Sequence, residues 1–469
     1  MIVLSPRKAT LFKASTPPLI ALILTIALTL QFVSPTTASV RPGEICKKNR
    51  QVRVISDVTL KCVKSGKGLV WREVKQAPGR LPIVAVTPSP TPSPSSSSTV
   101  TPSPSPAATP FDKSPNFTKI LWSRVQSDST FPISRETFAI PTIAPSSWED
   151  LYEMRDGIAH KAWEFVRQTI TISPSKLGRV VIHQGPNTKS PFPDISSVMT
   201  IVSRAFPSAR EVSNTNIFLY SFFDRQWAHE KYQVFYRDES QRFKNFNGNS
   251  VLDNCPVARE VCWAMAFTDS KSDGVMLLGV IDNGSRELQN QTFDGFARRD
   301  LGLVIAHEYF HTIQRKILGE NWFQGQYTPP IWFNEGSAVF VENAVLNYRS
   351  FDDYMRFRLV DSKLAYPGCE EMSGGCFKVD SETLNRFFKL SNYSNNWGDF
   401  PYGMRYEVSS RIIEILVALK GPDSLIKIYE EMAQNLAFDL AFEKVYGISY
   451  EAAVPVISKI LVDQYANRK

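Results

Sequence analysis

The period of apolar and polar positions changes several times along the chain, and each change marks a boundary. Leu19 to Leu30 is almost continuously apolar, with Arg7, Lys8 and Lys13 before it and Thr36-Thr37-Ala38 after it. Positive, then apolar, then small is the order of a secretory signal peptide, so residues 1–38 are predicted to be one, cleaved near Ala38. The alternative is an uncleaved anchor, for which the run is short against the roughly 20 residues a span needs. Residues 41–80 break into strand-like runs, Val52–Ile55, Thr59–Val63 and Leu69–Trp71, with the turn signal Ser-Gly-Lys-Gly between the last two. They are expected to form a small β module. Residues 81–110, after a short apolar lead-in, reduce to little but Pro, Ser, Thr and Ala. From Thr87 this is an extended tether reaching on the order of 75 Å at about 3.1 Å per residue.

The remaining segment, 111–469, carries the patterns of a large domain. Ser146-Ser147-Trp148-Glu149 has capping-box spacing and predicts an amphipathic helix to about Thr169. Arg179–His183, Trp263–Phe267 and Val275–Ile281 read as strands. After residue 294 the pattern is helical almost throughout, as at Ile412, Ile413, Leu416 and Leu419, stopped by Gly421-Pro422. Strands first and helices later predict an α+β domain with a β-rich first half and a helical second half.

Charge changes this picture once it is divided. The net +7 arises at the front: residues 41–80 hold 11 Lys or Arg against three acidic groups, and residues 81–469 hold 39 against 43. The small module is the basic part, able to meet an anionic cell envelope or simply to present a solvated face. Its partner stays open, and no nucleic acid is expected. The six cysteines fall in close pairs, Cys46 and Cys62, Cys255 and Cys262, Cys369 and Cys376, none in CxxC spacing. That suits disulfides in an exported protein, with 15 connectivities formally possible.

The chemistry concentrates in Leu303-Val304-Ile305-Ala306-His307-Glu308-Tyr309-Phe310-His311-Thr312-Ile313-Gln314. On a helix His307 and His311 share a face and can reach one metal, while Glu308 lies one step round, near a metal-bound water. Gly319 is a stop signal for that helix. The chain holds only five histidines, so a pair at this spacing is not easily a by-product of composition. His160, His183 and His229 are expected to be packing or surface residues. Glu335, 24 positions after His311, sits in Ile331-Trp332-Phe333-Asn334-Glu335-Gly336-Ser337-Ala338, and Pro329-Pro330 suit a helix start there. Two His and one Glu leave a fourth position open, as a catalytic zinc requires.

His307-Glu308-x-x-His311 followed by Trp332-Phe333-Asn334-Glu335-Gly336-x-Ala338 resembles the gluzincin metallopeptidases, in particular the aminopeptidase-like members of the peptidase MA-like clan. The resemblance is specific over residues 296–347 and diffuse over 111–469. It implies a thermolysin-like catalytic domain, one Zn2+ per chain held by His307, His311 and Glu335, and Glu308 as base. It also suggests Glu342, seven after Glu335, as a residue orienting a ligand. A tyrosine on a later helix stabilises the oxyanion in such enzymes, which here points to Tyr406 or Tyr402. Gly274-Val275-Met276-Leu277-Leu278-Gly279 lacks the acidic residue with which the aminopeptidases grip a free N-terminus. Endo- and exopeptidase action therefore both stay open, with the Val275–Ile281 strand expected as an edge for extended substrate.

The expected activity is that of a secreted zinc peptidase, free outside the cell or associated with the envelope. Glu308 would take a proton from the attacking water and pass it to the leaving amine. A non-catalytic envelope-binding protein on the same fold and a zinc hydrolase of non-peptide bonds are the alternatives.

Overall fold

The alternating residues after position 50 form three strands in the computed structural model: β1 (Val52–Ile55), β2 (Val58–Ser65) and β3 (Gly68–Glu73). They pair antiparallel with β2 central, Cys62 lying opposite Trp71. The structure describes residues 52–55, 58–65, 68–73, 137–192, 194–236, 250–255, 262–269, 273–280, 298–299, 301–319, 321, 328–362, 378–390, 400–401 and 403–467. The signal segment, the tether, Cys46, Cys369, Cys376 and Tyr402 lie outside them. The chain divides into two units, Met1–Ser103 and Pro104–Lys469.

In the second unit four strands form one sheet: β4 (Arg179–Gln184), β5 (Asn214–Tyr220), β6 (Ala264–Thr268) and β7 (Gly274–Gly279), in the order β4-β5-β7-β6. The first three in that order run parallel and β6 runs against β7. Helix α1 (Ile158–Ile172) precedes the sheet, α2 (Ile195–Ala205) connects β4 to β5, and α3 (Arg225–Tyr236) follows β5. Side chains alternate across the sheet. Ile217, Leu219, Met276, Leu278 and Ala266 join the main core, while Phe218, Tyr220, Leu277 and Phe267 pack with Ala228 and Tyr232 of α3. The Cys255–Cys262 disulfide closes the loop just before β6.

The chain departs from expectation at three places. Helices alternate with strands before residue 280, so the first half is mixed α/β rather than β-rich. Parallel neighbours such as β4 and β5 need a helical crossover, which α2 supplies. Second, the helix expected from Ser146 begins only at Ile158. Asp150 instead accepts hydrogen bonds from the Ser146 and Ser147 amides (3.0 and 2.9 Å). A Cβ at Gly157 would lie 2.2 Å from the Ile143 carbonyl oxygen, a crossing that only glycine allows. Third, the strand expected at Val275–Ile281 appears as β7 (Gly274–Gly279) in the interior of the sheet, and the edge on that side is β6.

The second half is helical: α4 (Leu303–Leu318), α5 (Ile331–Leu346), α6 (Phe351–Ser362), α7 (Ser381–Leu390), α8 (Ser409–Lys420), α9 (Asp423–Ala433), α10 (Phe438–Tyr446) and α11 (Tyr450–Ala466). Helix α5 is buried on every side, with Glu335 its one partly open residue, which makes it the central helix. Trp332 and Phe333 wedge it against Phe438, and Trp332 also stacks on Tyr450 and meets Phe388 edge-on.

A buried ion pair ties α6 to α8. Arg358 Nε donates to Glu414 Oε2 at 2.7 Å and Nη2 to Oε1 at 2.8 Å, with the Tyr354 hydroxyl on the same carboxylate. Burial alone would raise the Glu414 carboxyl pKa; Arg358 overrides it and holds it below the ordinary value. A carboxylate lowered in this way stabilises the fold above its unfolded-state pKa and loses that contribution as pH falls through the folded value. Glu414→Ala strands a buried guanidinium and is expected to cost about 3–5 kcal/mol at neutral pH. Denaturant titrations at pH 7 and in the acid range should show the gap from the parent protein narrowing as pH falls.

Candidate metal centre

Helix α4 starts after Gly302, whose φ of 82° suits glycine, and stops at Gly319. Between them a 3.6-residue period puts His307 and His311 one above the other, their ring centroids 4.7 Å apart. Helix α5 starts directly after Pro330 and brings Glu335 across from α4. His307 Nε2 and His311 Nε2 are 3.1 Å apart, and Glu335 Oε2 lies 3.5 Å from the first and 3.3 Å from the second. Among the described residues this is the one group of His, Cys, Asp or Glu side chains that converges in this way.

The outward nitrogens are committed. His307 Nδ1–H donates to Glu342 Oε2 at 3.0 Å, since a carboxylate can only accept. His311 Nδ1–H donates to Gln314 Oε1 at 2.6 Å. The Gln314 amide is oriented by its own donations, to the Asn334 carbonyl (3.1 Å) and the Tyr429 hydroxyl (2.8 Å). Both imidazoles therefore turn an Nε2 lone pair toward the carboxylate oxygen. Three lone pairs at this separation repel unless a cation or a proton lies among them. A tetrahedral ion with bonds of about 2.0–2.1 Å sets its ligand atoms about 3.3–3.4 Å apart, so the donor set fits zinc in type and spacing.

The local electrostatics follow from burial and proximity. Burial works to lower the His307 pKa, but Glu342 and Glu335 outweigh it and raise the group to about 10. Burial would raise Glu335; His311 and His307 pull it well below the usual carboxylate range instead. Glu308 is 7% exposed, and burial raises its pKa against the pull of both histidines. Arg315, a turn beyond His311, is lowered to about 10 by burial, with Glu335 and Glu308 working the other way.

The structure thus brings together His307, His311, Glu335 and Glu342, with Glu308 on the same buried helix. Tyr406 is half-buried on a π-helical stretch, Met404–Val408, that runs into α8, and its ring centroid is 6.3 Å from that of His307. Such stretches are frequent at functional sites. Its rival Tyr402 lies outside the described residues. His183 stacks on Phe218, and His160 packs against Trp163 and Phe351, both away from the centre. Gln314 is the contributor that sequence reasoning passed over. Its place three residues after His311 was the available signal, because helical neighbours at that spacing meet.

No family model, curated protein or solved structure matches the chain.

Gly336 explains how close α5 comes to α8. A Cβ there would sit 2.6–2.7 Å from the Ser409 carbonyl carbon, carbonyl oxygen and Cβ. Gly336→Ala must push the helices apart beside Glu335. The expected result is zinc affinity weakened at least about tenfold, read by competition with a chromogenic chelator, together with about 1–3 kcal/mol of lost stability.

Proposed function

We propose that the chain is an exported zinc-dependent peptidase of gluzincin type, with His307, His311 and Glu335 as ligands and Glu308 as general base. The observation that carries this reading is the convergence of two buried histidines and the partly open Glu335 within 3.1–3.5 Å, beside the buried carboxyl of Glu308 on the histidines' own helix.

A bound zinc would supply a Lewis acid and a water acidified toward about pKa 7. The protein's own groups do the rest. Glu342 and Gln314 orient the two imidazoles and fix which nitrogen faces inward. Glu308 removes a proton from the attacking water as its oxygen bonds to the scissile carbonyl carbon, then delivers that proton to the departing amine nitrogen as the C–N bond breaks. A carboxyl raised by burial suits both halves of that transfer. Tyr406, whose ring lies 6.3 Å from that of His307, would donate to the developing oxyanion.

A peptide substrate is supported by the edge of the sheet. Gly279 N–H donates to the Trp263 carbonyl, making residues 263 and 279 a hydrogen-bonded pair. Alternation along the ladder then turns the amide and carbonyl groups of Ala264, Ala266 and Thr268 away from β7. Among the described residues no strand pairs with that side. β6 packs directly against α4, so the edge runs beside the metal-bearing helix. An extended peptide can add there as a further strand, a mode that needs no free N-terminus.

Purified full chain loaded with zinc is expected to cleave an internally quenched peptide library, and Glu308→Gln to lower kcat by at least about 100-fold while keeping the metal. Zinc-loaded protein that cleaves esters but no peptide would sink the peptidase reading and favour a hydrolase of other bonds.

A further inference from the structure

Asn334 touches the supports of two ligands at once. Its backbone carbonyl accepts from Gln314 Nε2 (3.1 Å), the amide that carries His311. Its side-chain Nδ2 donates to Glu335 Oε1 (3.1 Å). The two carboxylate oxygens of Glu335 are therefore divided: Oε2 faces the histidine nitrogens and Oε1 is engaged by Asn334.

We propose that Gln314 and Asn334 act as one positioning unit, which holds His311 with Nε2 inward and leaves Glu335 a single oxygen for the metal. This rests on the metal-site reading and deepens it. Asn334 is 9% exposed, and among the described residues its Oδ1 has no hydrogen-bond partner. A buried amide oxygen left unsatisfied is a cost that native proteins retain only for a reason. Rotating the amide would set Oδ1 against the Glu335 carboxylate, oxygen to oxygen, and forfeit the Nδ2 donation to Oε1. The orphaned oxygen is thus the consequence of keeping Nδ2 on Glu335.

Gln314 is fully buried, and its side chain needs a donor and an acceptor together: Oε1 for His311, Nε2 for the Asn334 carbonyl and the Tyr429 hydroxyl. No other residue of that length offers both. The chain of bonds runs from His311 through Gln314 to the backbone of Asn334, and from the Asn334 side chain back to Glu335. It spans α4 and α5, with α9 holding the middle through Tyr429. The two helices can change their spacing only by breaking it, so an error at one ligand is passed to the other.

The test is a double-mutant cycle on zinc affinity in the full chain, using Asn334→Ala, Gln314→Leu and the pair, by competition with a chelator. Cobalt(II) visible spectra report how the ligand field changes. Each single variant is expected to bind zinc about 10–100-fold more weakly with an altered cobalt spectrum. The pair should lose less than the product of the two single losses. Unfolding midpoints of the metal-free proteins should shift far less than the affinities. If either variant fails to fold, the near-isosteric Asn334→Asp and Gln314→Glu complete the same cycle, each removing the amide donor. Single variants that bind zinc like the parent, or losses that multiply fully, would overturn the proposal while leaving the metal site intact. A parent chain that binds no zinc would overturn the metal site itself.

Discussion

Three lone pairs that repel one another are held within 3.1–3.5 Å at one buried point, and much of the molecule is arranged to keep them there. Left alone, two imidazole Nε2 atoms and a carboxylate oxygen would rotate apart. Glu342 and Gln314 prevent it for the histidines by engaging the far nitrogen of each ring. On the proposed reading, a bound cation would turn this opposition into binding, and the neighbouring carboxylates already raise the His307 pKa.

The fold supplies the stiffness that such a centre needs. Helix α5 is enclosed on every side, and glycine at 336 lets α8 approach to backbone contact. The same α8 follows the π-helical stretch that carries Tyr406 and is locked to α6 by the Arg358–Glu414 pair. Glu335 and Tyr406 are thereby positioned from one packed layer of helices. The sheet meets α4 through β6 and β7, and among the described residues no strand pairs with the outer side of β6.

What was legible in the sequence was what depends on local geometry. His307 and His311 meet because four residues make about one helical turn, and Gly319 and Gly421 end helices because a chain with φ of 54° or 75° favours glycine. The strands around residues 181, 265 and 277 followed from apolar runs between turn residues. Less was legible where distant chain segments decide. Sheet order is one such case: Val275 to Gly279 reads equally well as an edge or an interior strand until β6 pairs with it. Another is the start of α1, set by Gly157 crossing the backbone of Ile143 and not by the Ser146 signal. The hydrogen bonds of Gln314 were hidden for the same reason, since they are completed by Tyr429, 115 residues after Gln314.

X-ray absorption at the zinc edge on the purified full chain tests the central claim most directly. One zinc per chain, with a first shell of two imidazole nitrogens and light oxygen donors at about 2.0–2.1 Å, is the predicted spectrum. A shell containing sulfur at about 2.3 Å, or one without the multiple-scattering signature of imidazole, would contradict it.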